Sequence, residues 1–146
     1  MLFVVRHGQR EDQLGGLLPN ALGNDPRITE KGVLQARKTG HFILQLLSEA
    51  AAASSCHVSH LYIYSSPFIR CLMTARHLRA GLLNDPHLAH PLVSKIRVTH
   101  GLFEELSCFK PSDHIFESLK VLTGHEEAKQ ALDPTELDLE SFLHKF

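Results

Sequence analysis

What the chain has little of narrows its class before any motif is read. It carries three cysteines, Cys56, Cys71 and Cys108. An odd number without metal-type pairing argues against a disulfide framework and for a reducing, cytoplasmic compartment, with each thiol acting as a small buried apolar residue. The opening run Met-Leu-Phe-Val-Val meets Arg6 at once, which is too short for the apolar stretch of a signal peptide. No later segment holds the roughly eighteen uncharged residues that a membrane span requires. Neither sign of charge dominates: 15 basic and 16 acidic side chains leave a formal charge of -1. No global field therefore draws the chain to nucleic acid or an anionic membrane, and any anion-binding surface must be local. Nine glycines and seven prolines are too few for a fibrous or disordered chain. Histidine is the one excess, with 11 copies. No tract concentrates them, and the pairs His57/His60 and His87/His90 lack cysteine or carboxylate partners, so no metal site is expected.

What remains is an ordinary globular composition. A length of 146 residues and an apolar fraction of 43% suit one domain around one core. Residues 2–5 form a short, uniformly apolar, β-branched run, the signature of a strand buried on both faces of a parallel sheet. Turn-forming pairs from Gly15-Gly16 to Asp25-Pro26 make residues 9–26 an irregular surface loop. Thr29 reads as an N-cap. Val33, Ala36, Gly40, Ile43 and Leu47 then recur at helical steps, predicting a long helix to about residue 50 whose small residues pack closely on a sheet. Residues 61–64 read as a second strand. Ser65-Ser66-Pro67 supplies an N-cap with proline at the first helical position, opening a second helix to about Leu83. Residues 95–99 read as a third strand, followed by Gly101-Leu102-Phe103-Glu104-Glu105. Beyond Pro111 the signal turns helical, with Ile115, Leu119 and Leu122 on one face and a short segment over residues 135–146. The order βαβαβ followed by helices implies a parallel sheet wrapped by helices.

Ligands of an open parallel sheet bind beyond the carboxyl ends of its strands. Arg6, His7 and Arg10 follow the first strand, Arg70 lies in the first turn after the second, and Glu104 follows the third. Guanidinium forks match phosphoryl oxygens in charge and geometry, and the start of the second helix adds a dipole that favours an anion. Among such charges the neutral imidazole of His7 is favoured, leaving a ring nitrogen to attack phosphorus. Gly8 lets the backbone approach closely and offer an amide to the same oxygens. Glu104 or Glu105 could act as general acid on the leaving oxygen. Each residue has a plainer reading when taken singly: His7 as a hydrogen-bonded structural histidine, Arg70 as a solvated helix residue, the two glutamates as exposed acids. Their joint placement at three successive strand ends favours the chemical one.

Four segments, in this order, resemble the histidine phosphatase superfamily, also called the phosphoglycerate mutase-like family. They are Arg6-His-Gly-Gln-Arg10, Asp25-Pro-Arg-Ile-Thr-Glu-Lys-Gly-Val-Leu-Gln-Ala36, Tyr64-Ser-Ser-Pro-Phe-Ile-Arg-Cys-Leu-Met-Thr-Ala75 and Gly101-Leu-Phe-Glu104. The arginine at position 10 and the Gly-Leu-Phe-Glu segment look most like the branch of the suppressor of T-cell receptor signalling proteins and the ecdysteroid-phosphate phosphatase. The resemblance implies a three-layer α/β/α fold with a mostly parallel sheet, its core motifs within residues 1–105 and a partial cap in residues 106–146. It implies His7 as the nucleophile that becomes phosphohistidine, Arg6, Arg10 and Arg70 as phosphoryl ligands, Glu104 as proton donor with Glu105 a lesser substitute, and no metal or organic cofactor.

The family's second pocket histidine, which follows a further strand, has no counterpart in the pattern. His125 and His144 have no strand signal before them, and His100 precedes the Gly-Leu-Phe-Glu segment. The fold is therefore expected to be C-terminally incomplete, a fragment or truncated product. The resemblance thus predicts a phosphatase acting on phosphomonoesters. The alternatives are a weak or inactive phosphate-binding module and a phosphoglycerate mutase-type phosphotransferase. The partner is a phosphorylated substrate, protein or small molecule, with no nucleic acid or membrane; a homo-oligomer is compatible.

Overall fold

The computed structural model of the chain describes residues 1–14, 26–54, 58–83, 93–99, 102 and 137–138. Two helices and a parallel sheet organise these residues. Helix α1 spans Glu30–Ser54, strand β1 Leu61–Ser65, helix α2 Ile69–Leu83, strand β2 Val93–Val98 and strand β3 Leu137–Asp138. The sheet runs in the order β1-β2-β3, with both neighbouring pairs parallel. Parallel strands need a crossover, and α2 supplies the one between β1 and β2. The α/β class is as the sequence predicts.

Helix α1 starts as expected. The Thr29 hydroxyl accepts the N–H of Gly32 at 3.0 Å, capping one of the amides that a first turn leaves without an intrahelical partner. Ala36, Gly40, Ile43 and Leu44 are buried along one face. That face meets helix α2 rather than the sheet. A Cβ on Gly40 would sit 2.2 Å from the Leu78 carbonyl oxygen, and one on Gly81 would sit 2.3 Å from that of Arg37. The two glycines let the helix backbones touch, which is why small residues recur here.

Helix α2 begins two residues later than Ser-Pro capping predicts. The carbonyl of Phe68 accepts the N–H groups of Cys71 and Leu72, each at 2.9 Å, so Pro67 lies outside the helix instead of at its first position. Ile69, Leu72, Ala75, Leu78 and Leu82 join Ile63, Ile96 and Val98 in one core with Ile43 and Leu44. At the irregularity between Leu61 and Ile63, the Ser94 hydroxyl accepts the Ile63 N–H at 3.1 Å and keeps that amide satisfied. Arg79 ties α2 to β2 by donating from Nε to the Ser94 carbonyl at 3.1 Å. On the opposite face Tyr62 and Tyr64 are exposed, and the Arg97 guanidinium lies over both rings, 4.8 and 5.8 Å from their centroids.

Three further expectations are corrected. Residues 2–5 are not a buried strand: among the described residues no strand pairs with them, and Leu2 and Val4 are 86% and 90% exposed. Phe3 alone turns inward, against the core. A β-branched run records a fit to a buried pleated surface, but the ladder must come from a neighbour, and among the described residues β1 is joined to β2 alone, its other edge not reached by this segment. Second, the loop after Arg10 is not wholly irregular, since Glu11–Leu14 form a short 3-10 turn. Third, β3 lies where no strand is predicted. Its signal was the alternation Glu136-Leu137-Asp138-Leu139-Glu140, period two over five residues, and it precedes His144 in the chain. Cys71 is partly buried. Cys56, Cys108 and the helix predicted around Ile115, Leu119 and Leu122 lie outside the described residues. No helix among the described residues is long and apolar enough to cross a membrane.

Candidate active site

The segment after residue 5 is held on the first turn of α1 from several directions. Gln9 donates its N–H to Gln35 Oε1 at 3.0 Å, and its carbonyl accepts the Thr29 N–H at 2.9 Å. Thr29 Oγ1 donates to Gln9 Oε1 at 3.1 Å. Arg10 bridges Ile28, and Glu11 donates its N–H to the Arg27 carbonyl at 3.0 Å. Gly8 lies so close to Gly32 that an added Cβ would come within 2.6 Å of the Gly32 carbonyl oxygen. Close approach by glycine is thus as the sequence predicts, but the neighbour is helix backbone rather than a ligand.

His7 is partly buried and its ring is oriented by the chain itself. Nδ1 lies 2.9 Å from the Gly8 carbonyl oxygen. A carbonyl can only accept, so Nδ1 carries the proton, and in the neutral ring the lone pair is on Nε2. The Gly8 N–H is also engaged. It donates to Thr74 Oγ1 at 3.0 Å, and that hydroxyl donates to the Arg70 carbonyl at 2.7 Å. The expectation that the Gly8 amide serves phosphoryl oxygens is therefore corrected: helix α2 has taken this donor.

Arg70 lies in the first turn of α2 and is 1% exposed, which overturns its reading as a solvated helix residue. Its guanidinium carbon lies 4.1 Å from the Phe68 ring centroid, a cation–π contact strengthened by desolvation. A buried guanidinium at a helix N-terminus sits against the dipole, and both features favour an anion alongside. Arg10 forks onto Asp12: Nε donates to Oδ1 at 2.9 Å, and the second nitrogen pairs with Oδ2. The hydrogen bond from Arg10 holds the Asp12 carboxyl below its usual value, outweighing its slight desolvation, and the charges of Arg10 and Arg70 add to the effect. Arg10, Asp12 and Arg70 thus share one electrostatic neighbourhood, which Thr74 joins to His7.

Of the residues singled out in the sequence, the structure brings His7, Arg10 and Arg70 to one corner. Arg6 lies beside them in the chain with its side chain exposed. Glu104 and Glu105 lie outside the described residues, as do His100, His125 and His144. Two site residues escaped the sequence reading. Thr74 stands four residues after Arg70, on the same helix face, and that spacing was the available signal. Asp12 had only its two-residue separation from Arg10. Among the described residues no group of three or more histidine, cysteine or acidic side chains is placed to hold a metal ion.

Comparison with known proteins gives this corner a lineage. The family model described as histidine phosphatase superfamily (branch 1) matches residues 2–92. The chain is similar to mouse ubiquitin-associated and SH3 domain-containing protein B, 33% identical over 132 residues that cover 70% of this chain and 18% of that protein. It is also similar to the ecdysteroid-phosphate phosphatase of Bombyx mori, 29% identical over 151 residues that cover 90% of this chain and 21% of that protein. The chain spans about a fifth of the length of these relatives. A crystal structure of the Bombyx mori ecdysone phosphate phosphatase with tungstate aligns at a TM-score of 0.44 and 25% identity, covering 67% of this chain and 42% of that one. Because the family model takes in well over half of the sequence, the Arg6-His7-Gly8 segment included, the chain belongs to the histidine phosphatase superfamily, branch 1.

Proposed function

We propose that this chain hydrolyses phosphomonoesters through a phosphohistidine on His7. The observation that supports the reading is the bond from His7 Nδ1 to the Gly8 carbonyl, which leaves the lone pair of the neutral ring on Nε2. In the first step Nε2 attacks phosphorus in line, the P–O ester bond breaks, and Glu104 gives a proton to the leaving oxygen. In the second, water attacks the same phosphorus, the P–N bond breaks, Glu104 takes the proton from water, and inorganic phosphate leaves. Arg6, Arg10 and Arg70 neutralise the equatorial oxygens, where most of the transition-state charge resides. Arg10 reaches those oxygens by exchanging the Asp12 carboxylate for phosphate, one anionic bidentate acceptor for another.

Membership of the superfamily supports the reaction class, as does a relative named for phosphatase activity. An odd number of cysteines, three in all, suits a reducing, cytoplasmic compartment. The test is phosphate release from an aryl phosphate by the chain and by its His7→Ala variant. Removing the nucleophile is expected to lower kcat by about a thousandfold or more, as for other nucleophile deletions, and equal rates for the two proteins would end the proposal.

A further inference from the structure

Resting on that reading, we infer that Thr74 is a positioning residue, whose hydroxyl sets the His7 ring against the turn of α2 that carries Arg70. The hydroxyl is buried, with 6% of the residue exposed, and both of its bonds are of ordinary hydrogen-bond length, 3.0 and 2.7 Å. It accepts the Gly8 N–H from 66 residues away, and it donates to the carbonyl of Arg70 itself, not of some other turn. Gly8 is held at both ends: its N–H goes to Thr74, and its carbonyl receives Nδ1 of His7. Hydrogen bonds joined through the Gly8 backbone therefore link the imidazole to Thr74 and on to the backbone of Arg70. Gly32 closes the other side of Gly8, so a shift of this peptide can only carry it away from helix α1. The nucleophile and the buried cation come from segments far apart in sequence, and Thr74 joins them without touching substrate.

Among the described residues Thr74 is the acceptor of the Gly8 N–H. Valine has the shape of threonine without the hydroxyl, so Thr74→Val would leave the Gly8 N–H buried and unpaired, which a structure relieves by moving. Serine keeps both hydrogen bonds. Displacing a nucleophile by about 1 Å costs on the order of a hundredfold in rate, whereas Arg70, fixed by helix α2, keeps its own place for binding.

The experiment compares the full chain with Thr74→Val and Thr74→Ser, reading kcat and KM for an aryl phosphate together with the ring-nitrogen chemical shifts of His7. Thr74→Val is expected to lose on the order of a hundredfold in kcat with KM changed little, and to lose the Nδ1-protonated pattern of the ring. Thr74→Ser recovers both. An unchanged kcat in Thr74→Val overturns the inference, as does an equal loss in Thr74→Ser, which would assign the effect to the methyl group. Should the parent chain release no phosphate, the hydrolase reading fails by itself. The Thr74 assignment is then judged on the His7 ring: a pattern displaced by valine and kept by serine upholds it, and an undisturbed one overturns it. Should Thr74→Val not fold, hydrogen exchange at the Gly8 amide of the parent decides. Slow exchange is expected of a buried, bonded N–H, and exchange at the free-peptide rate refutes the link.

Discussion

At the scale of single residues, what matters here is how a charge is accommodated, and His77 shows it away from the site. Half-buried on α2, it is held below the ordinary histidine value, first by desolvation and then by the positive charges of Arg37 and Arg76. The folded protein therefore binds a proton at this ring less readily than the unfolded chain does. Below the unfolded value of about 6.5 the unfolded state takes up the proton first, so stability falls as pH drops through that value and on toward the lower folded one. Above it the contribution is complete. His77→Gln, which removes the titration, is expected to flatten the decline in thermal midpoint between about pH 7 and pH 5. A pH profile parallel to the parent's would show that the ring does not contribute. Asp12 has the opposite sense: a carboxyl lowered by Arg10 favours the folded state above its unfolded pKa and loses that contribution as pH falls through its folded value. Exposure to solvent keeps that effect small.

At the scale of elements, the contact between α1 and α2 governs. Both helices were legible because apolar residues at three- and four-residue steps need no knowledge of the partner. What they pack against was not, since a small residue on a helix face fits a sheet as well as another helix. Gly40 and Gly81 decide it, each standing against a backbone carbonyl of the opposite helix. Gly40→Ala improves helix propensity by about 1 kcal/mol, yet its Cβ would meet the Leu78 carbonyl oxygen, an atom that cannot rotate away. Forcing the helices apart costs roughly 1–3 kcal/mol, so a net loss is expected, read as a lower urea midpoint. Gln45→Ala, on the exposed side of the same helix, should hold the midpoint or raise it slightly. A stabilised Gly40→Ala protein would mean that the helices do not cross there.

At the scale of the whole molecule, the sheet and the first residues of the chain part company with the sequence reading. An apolar run at residues 2–5 reads as a central strand, whereas the structure orders its sheet β1-β2-β3 and leaves Val4 in solvent. The two accounts differ in what substitutions there cost. Val4→Lys should shift the unfolding free energy by no more than about 0.5 kcal/mol, as at other exposed positions. Phe3→Ala, which removes a ring packed on the core, should cost about 1–3 kcal/mol, less than for a fully buried phenylalanine. Comparable large losses at both positions, in denaturant titrations, would restore the buried strand. The sequence by itself determined whatever is written locally: the periodicity of α1 and α2, the strands β1 and β2, the Thr29 cap, and the ordered motifs that mark a histidine phosphatase. Tertiary structure alone decided the rest: the burial of Arg70, the capture of the Gly8 amide by Thr74, and which strand edges are joined. The reason is physical. A helix or a cap is stabilised by residues within four positions of one another, while a buried charge or a shared hydroxyl depends on groups tens of residues away, brought into contact only when the whole core closes.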